Sequence, residues 1–152
     1  MSLSIQSAMR WNMWVLAPVA LAFAALSAPY LLTHHFAFVG FELQRAFALV
    51  CHQHPDRSFW IFGAPVAVCA RCLGIYSGAA IGLVLRISRR VAFQLLITAV
   101  ALNLLDAIAE LVGLHGNWMT VRFVLGLLLG AAGGLLISSS MHTAPARAAT
   151  IS

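Results

Sequence analysis

The sequence predicts an all-α, polytopic transmembrane helix bundle with four spans and one interfacial amphipathic helix. Three observations predict it. The chain has 152 residues, of which 62% are hydrophobic and only 9% charged, whereas an ordinary soluble domain carries roughly a quarter charged residues. Long apolar runs recur along it, on the scale needed to cross a bilayer. One short link between such runs, Arg86-Ile-Ser-Arg89-Arg90, concentrates three arginines. Nine basic and four acidic side chains cannot coat a water-soluble globule, and lipid removes the need by replacing water around the apolar surface. The length leaves room for a single membrane domain over residues 1–152.

The first run, Trp11 to Thr33, carries no charge and is long enough to cross ~30 Å of hydrocarbon. Trp11 and Trp14 near one end and Tyr30 near the other fit aromatic interface belts. A cleaved leader is the competing reading, with Arg10 as its basic region, but a cut after Ala28 would place Pro29 beside the cleavage site. Residues 35–50 are apolar but interrupted by Glu42 and Arg45. Phe36, Phe38, Phe41, Leu43, Ala46, Phe47 and Val50 favour one broad helical stripe, as in a helix lying in the interface. Residues 51–63 are polar and turn-rich. The remaining spans fall at about 64–85, 91–113 and 121–141.

The arginine-rich link Arg86 to Arg90, between spans 64–85 and 91–113, is cytoplasmic by the positive-inside rule. Arg10 and Arg147 share that side, which places both termini in the cytoplasm. Arg45, Arg57, Arg71 and Arg122 then belong to the outer side. So do Cys51, Cys69 and Cys72, together with His34, His35, His52, His54 and His115; only His142 falls inside. The setting this implies is the plasma membrane of a bacterium or archaeon. The formal net charge of +5 is scattered rather than gathered on one surface, so the basic balance serves topology and internal pairing, not nucleic acid.

Two glycine series stand out. Gly74, Gly78 and Gly82 in the second span, and Gly126, Gly130 and Gly134 in the fourth, recur four residues apart on one helix face. Such ladders let helix backbones approach closely in lipid. They predict close contact through both spans, either with each other or with a second copy of the chain in a homo-oligomer. In the third span Asp106 and Glu110 share a face. Ionisable groups inside a span turn inward and take partners, and Arg71 and Arg122 are the cations at hand. Asn103 is placed to join the same face.

The chemistry is concentrated in Cys51-His52-Gln53-His54-Pro55 and Cys69-Ala70-Arg71-Cys72. Two cysteines separated by two residues can reach one tetrahedral ion from a single turn. The same spacing suits a reversible dithiol at a helix start, where the helix dipole lowers a thiol pKa. With Cys51 and His52 the set becomes Cys51, His52, Cys69 and Cys72, the composition of a closed zinc site, with His54 as the alternative nitrogen. Soft sulfur ligands also accept Cu(I). Gln53, Ser58 and Tyr76 are candidates for outer hydrogen bonds to the ligands. Arg57 reads as a loop charge. Three cysteines exclude a fully paired disulfide framework.

These residues resemble the DUF2085 family of small predicted membrane proteins. The resemblance is carried by Cys51-His52-Gln53, Pro55, Arg57-Ser58-Phe59, Gly63, Cys69-Ala70-Arg71-Cys72 and Gly74-Ile75-Tyr76-Ser77-Gly78. It continues through Asp106, Asn117, Arg122, Gly126 and Gly130, and covers about Phe41 to Gly134. His54 lies outside that pattern. The resemblance implies a polytopic membrane protein and supplies no activity. Three functions follow from the residues. The first is a membrane protein holding zinc or copper, either structurally or for metal transport. The second is a thiol–disulfide oxidoreductase coupled to a membrane quinone, with Cys51 exchanging with Cys69 or Cys72. The third is a subunit of an oligomeric transporter whose path is lined by Asp106, Glu110 and Arg122.

Overall fold

The apolar runs fold as helices in a computed structural model that describes residues 2–34, 36–114, 116 and 118–148, with side chains described between positions 13 and 141. His35, His115 and Asn117 lie outside the described residues, as do the side chains of Arg10, Trp11, His142 and Arg147. In chain order the elements are α1 (Ser2–Thr33), α2 (Ala37–Ala48), a 3-10 turn (Pro55–Arg57), β1 (Trp60–Ile61), β2 (Ala64–Pro65), α3 (Ala70–Val84), α4 (Arg89–Leu111) and α5 (Met119–Ala148). Among the described residues, three stretches are long and apolar enough to cross a membrane: Met13–Thr33, Arg89–Leu111 and Met119–Met141. The fourth apolar helix, α3, has 15 residues, or about 22 Å at 1.5 Å per residue, against ~30 Å of hydrocarbon.

The expected second span, 64–85, is therefore cut short at its start. Ala64–Pro65 forms a strand instead, pairing antiparallel with Trp60–Ile61. The connecting residues Phe62 and Gly63 have φ of 53° and 78°, the positive pair that a two-residue hairpin turn of matching twist requires. Pro65 has no N–H to offer a helix. Val66, Ala67 and Val68 follow without helical structure, yet are almost fully buried. Hydropathy alone reads this stretch as the start of a span.

Burying non-helical backbone requires partners for its polar groups. Val66 N–H donates to the Phe59 carbonyl at 2.8 Å, and Ala67 N–H to the Ala25 carbonyl at 3.4 Å. Ala25 can accept because Pro29, four residues on inside α1, lacks the N–H that would bond that carbonyl. The proline thus opens a docking point in α1 for the segment that leads into α3. Ala25, Ala28, Phe47, Cys51, Val66, Ala67, Val68 and Leu73 form one buried apolar cluster there.

The two glycine ladders face each other. The most extensive helix contact is α3 against α5; α5 also carries α4, and α1 packs on α2 and α3. A Cβ on Gly74, Gly78 or Gly82 would strike the backbone of α5 at Phe123, Leu127 or Ala131, and one on Gly126, Gly130 or Gly134 would strike α3 at Arg71, Ile75 or Ala79. Of the two expected uses of the ladders, the structure shows contact with each other within one chain. Gly40 allows a similar approach of α2 to α1, since a Cβ there would lie 2.7 Å from Leu32 N. Side chains close the remaining gaps: Ser138 Oγ donates to the Leu85 carbonyl at the end of α3 at 3.1 Å, and Asn103 Nδ2 to the Leu125 carbonyl at 3.0 Å.

Candidate metal centre

The start of α3, the end of α4 and the start of α5 meet at one end of the bundle, and that end carries the reactive side chains. Cys69 is the N-cap of α3, and Leu73 N–H closes the first turn on its carbonyl at 3.0 Å. Cys72 lies three residues on in that turn, which brings the two thiols near each other. Cys51 arrives from α2: its N–H bonds the Phe47 carbonyl at 2.9 Å, and its side chain enters the buried cluster, 6% exposed. The sulfur atoms of Cys51, Cys69 and Cys72 all lie within 4.8 Å of one another, and all three thiols are free.

Cys69 N–H donates to Cys51 Sγ at 3.2 Å. A helix start presents unpaired N–H groups and a positive dipole end, which favour a thiolate. The Cys51 thiol is pushed down to about 2, first by hydrogen bonding from the Cys69 thiol and then from that of Cys72, with burial opposing.

The loop that carries Cys51 is pinned in place. Gln53 Nε2 donates to the Gln44 carbonyl of α2 at 2.6 Å and to the Ala67 carbonyl at 2.7 Å. One amide thus ties the end of α2, the Cys51 loop and the approach to Cys69 together. Gln53 holds φ of 48°, uncommon for a residue with a Cβ. The next residues are fixed by Ser58 Oγ donating to the His54 carbonyl at 3.0 Å and by Arg57 N–H to the same carbonyl at 2.9 Å. Gln53 and Ser58 therefore serve the loop backbone, while Tyr76 packs against Phe47 with ring centroids 6.4 Å apart.

The two histidines of the motif are placed differently from the thiols. His52 and His54 are exposed, and the group of converging side chains contains neither of them. The structure brings together the three sulfurs and leaves both imidazoles outside.

A charge network lies beside this site. Arg71, between the two cysteines of α3, pairs with Asp106 of α4. Glu110, one turn further along α4, pairs with Arg122 of α5 and with Arg57 of the loop, the latter at 2.9 Å. Arg122 and Asp106 are almost fully buried, at 5% and 6% side-chain exposure. Gly113, with φ of 74°, ends α4 in a reverse-turn cap: Leu114 N–H bonds the Ala109 carbonyl and Gly113 N–H the Glu110 carbonyl. The carboxylate of Glu110 thus sits at the negative end of α4, where guanidinium partners offset an unfavourable dipole. Sequence reasoning missed Arg57 as a member. The available signal was the excess of arginines expected on the outer side over the two carboxylates Asp106 and Glu110.

Comparisons with known proteins agree with this picture of a membrane chain. A family model described as "Predicted membrane protein (DUF2085)" matches residues 51–136, the stretch that holds all three cysteines and the four paired charges of α3, α4 and α5. An uncharacterised protein of Methanocaldococcus jannaschii is 37% identical over 100 residues, covering 61% of this chain and 64% of that relative. The chain therefore spans less than two thirds of that relative's length. An uncharacterised protein of Methanothermobacter thermautotrophicus is 30% identical over 101 residues, covering 63% of this chain and 91% of the relative. No solved structure matches.

Proposed function

The chain belongs to the DUF2085 family of predicted membrane proteins, and from that premise we propose that it is an integral membrane protein whose three thiols hold one zinc or copper ion near the outer membrane face. The observation that carries this reading is the convergence of Cys51, Cys69 and Cys72 to within 4.8 Å of one another. Three sulfurs bound to one ion at about 2.3 Å stand about 3.8–4.0 Å apart, so the donors need only a small inward movement. Free thiols and a hydrogen-bonded Cys51 sulfur fit the donor set that soft ions select. An ion there joins the loop that follows α2 to the start of α3, as a structural clasp or as a station in metal handling.

The membrane arrangement belongs to the same proposal. α3 makes the second of four crossings as a short span, helped by the buried segment 66–69. α2 lies in the interface, with Phe36, Phe38 and Phe41 exposed toward lipid. Arg86, Arg89 and Arg90 are exposed at the end opposite the thiols, which by the positive-inside rule faces the cytoplasm. The relatives are archaeal, in keeping with a plasma-membrane setting.

The approach of the Cys51 sulfur to the Cys69 and Cys72 sulfurs, all free thiols, favours one second reading, thiol–disulfide exchange. In it a Cys69–Cys72 disulfide accepts two electrons from a substrate dithiol through Cys51, and a membrane quinone takes those electrons and two protons to become quinol. Metal analysis and thiol counting on protein purified without chelator separate the two readings. About one equivalent of zinc or copper, lost in Cys51→Ser, supports the metal site. Metal-free protein whose Cys69–Cys72 disulfide forms on addition of quinone supports exchange instead.

A further inference from the structure

We infer that the three-thiol site selects Cu(I) over Zn(II), with His52 and His54 taking no part in binding. This rests on the metal reading above and narrows it. The donors that converge are Cys51, Cys69 and Cys72, and among the described residues the group contains no nitrogen or oxygen ligand. Structural zinc is closed by four ligands in a tetrahedron. Three protein ligands leave zinc seeking a fourth donor, from an imidazole or water. Cu(I) is soft, prefers thiolate sulfur, and is satisfied by three sulfurs in a plane.

The placement of the imidazoles argues in the same direction. Cys51 enters the apolar cluster while its neighbour His52 is exposed. The backbone on either side is held. Cys51 N–H is bonded to the Phe47 carbonyl, and the Gln53 amide to the Gln44 and Ala67 carbonyls. The His54 carbonyl takes both Arg57 N–H and Ser58 Oγ. Turning the loop backbone to bring either imidazole toward the sulfurs breaks several of these bonds, three of them part-buried side-chain bonds, and unmade bonds of this kind are costly. The surroundings suit a charged all-sulfur site. Cys69 N–H already donates to Cys51 Sγ, and the first turn of α3 adds its positive dipole end.

The test is anaerobic metal competition on purified full-length protein in detergent. Cu(I) is titrated against a chromophoric Cu(I) chelator, and Zn(II) against a zinc-binding dye. The expected result is one Cu(I) bound, with all three thiols protected from alkylation. His52→Ala and His54→Ala should leave the Cu(I) affinity within about threefold, less than the loss of an outer partner produces. Cys51→Ser and, separately, Cys72→Ser should weaken it by more than about 100-fold, beyond any outer-partner effect, while retaining the monomer peak and helical signal of the parent. Zinc that outcompetes its dye and depends on His52 overturns the selectivity but leaves the metal site standing. Failure to bind either ion overturns both.

Discussion

The amide nitrogen of Cys69 donates to the sulfur of Cys51 at 3.2 Å across eighteen positions of sequence. This bond joins a loop leaving α2 to the first residue of the α3 turn, and it sets one sulfur against the other two. The junction is held by its surroundings, since Gln53 Nε2 bonds both the Gln44 and the Ala67 carbonyls.

Proximity predicts efficient oxidation in the absence of metal. Thiols this close form a disulfide once small side-chain rotations bring two sulfurs to bonding distance. Mild oxidant should link Cys51 to Cys69 or Cys72 within one chain, read by mass spectrometry of alkylated peptides, and bound metal should block it. Exchange proceeds from the thiolate. Cys51 is held at about 2 against an ordinary 9.0, so its thiolate persists as pH falls. The rate should stay nearly flat from about pH 8 to about pH 5, where an ordinary thiol slows about tenfold per unit. A tenfold slope, or linkage only between chains, contradicts the geometry.

Gln53 should matter more than an exposed loop residue. Its Nε2 makes two bonds to backbone carbonyls, and its backbone occupies a left-handed conformation. Gln53→Ala removes both bonds and leaves the strain, at a cost of about 1–3 kcal/mol. Gln53→Gly relieves the strain but also loses the clamp. Both should lower metal affinity by about 10–100-fold, with Gly the more stable in thermal unfolding. Equal stability of the two variants would show that the φ angle carries no strain.

The helix ladder makes a paired prediction. A methyl on Gly78 meets the Leu127 backbone of α5, whereas one on Gly133 meets nothing within 4 Å. Gly78→Ala should destabilise the protein by about 1–3 kcal/mol through overpacking. Gly133→Ala should be neutral or slightly stabilising through helix propensity. Unfolding titrations in mixed micelles compare them directly, and equal effects would contradict the α3–α5 contact.

The charge network should respond non-additively. Glu110→Gln leaves Arg122 buried with a weakened partner, at about 3–5 kcal/mol. Asp106→Leu alone should destabilise in the same way by stripping Arg71 of its carboxylate, while Arg71→Leu combined with Asp106→Leu should be milder than either single change, because the pair's desolvation penalty goes with it. Additive losses in the double variant would show that the two side chains do not interact.

Parts of this arrangement were legible from sequence for clear reasons. The spacing of Gly74, Gly78 and Gly82 against Gly126, Gly130 and Gly134 marks faces of close approach whatever the fold, and only their choice of each other over a second copy required coordinates. The Cys69–Cys72 spacing fixes two sulfurs on one turn. The stretch before α3 misled because Ala64 to Val68 is apolar in composition; its docking on α1 uses the Ala25 carbonyl that Pro29 leaves free, and Ala25 lies 42 positions before its partner Ala67. The exposure of His52 beside a buried Cys51 was not legible, because adjacency in sequence does not fix which way two neighbouring side chains point. Arg57 was hidden because its partner, Glu110, lies on another helix.

The most direct test of the central claim is X-ray absorption at the metal edge of the loaded protein, which counts the ion's neighbours by element. The predicted result is a shell of three sulfurs at about 2.3 Å, and no bound ion in Cys51→Ser protein loaded in the same way. A shell dominated by nitrogen or oxygen, or one unchanged by Cys51→Ser, would contradict it.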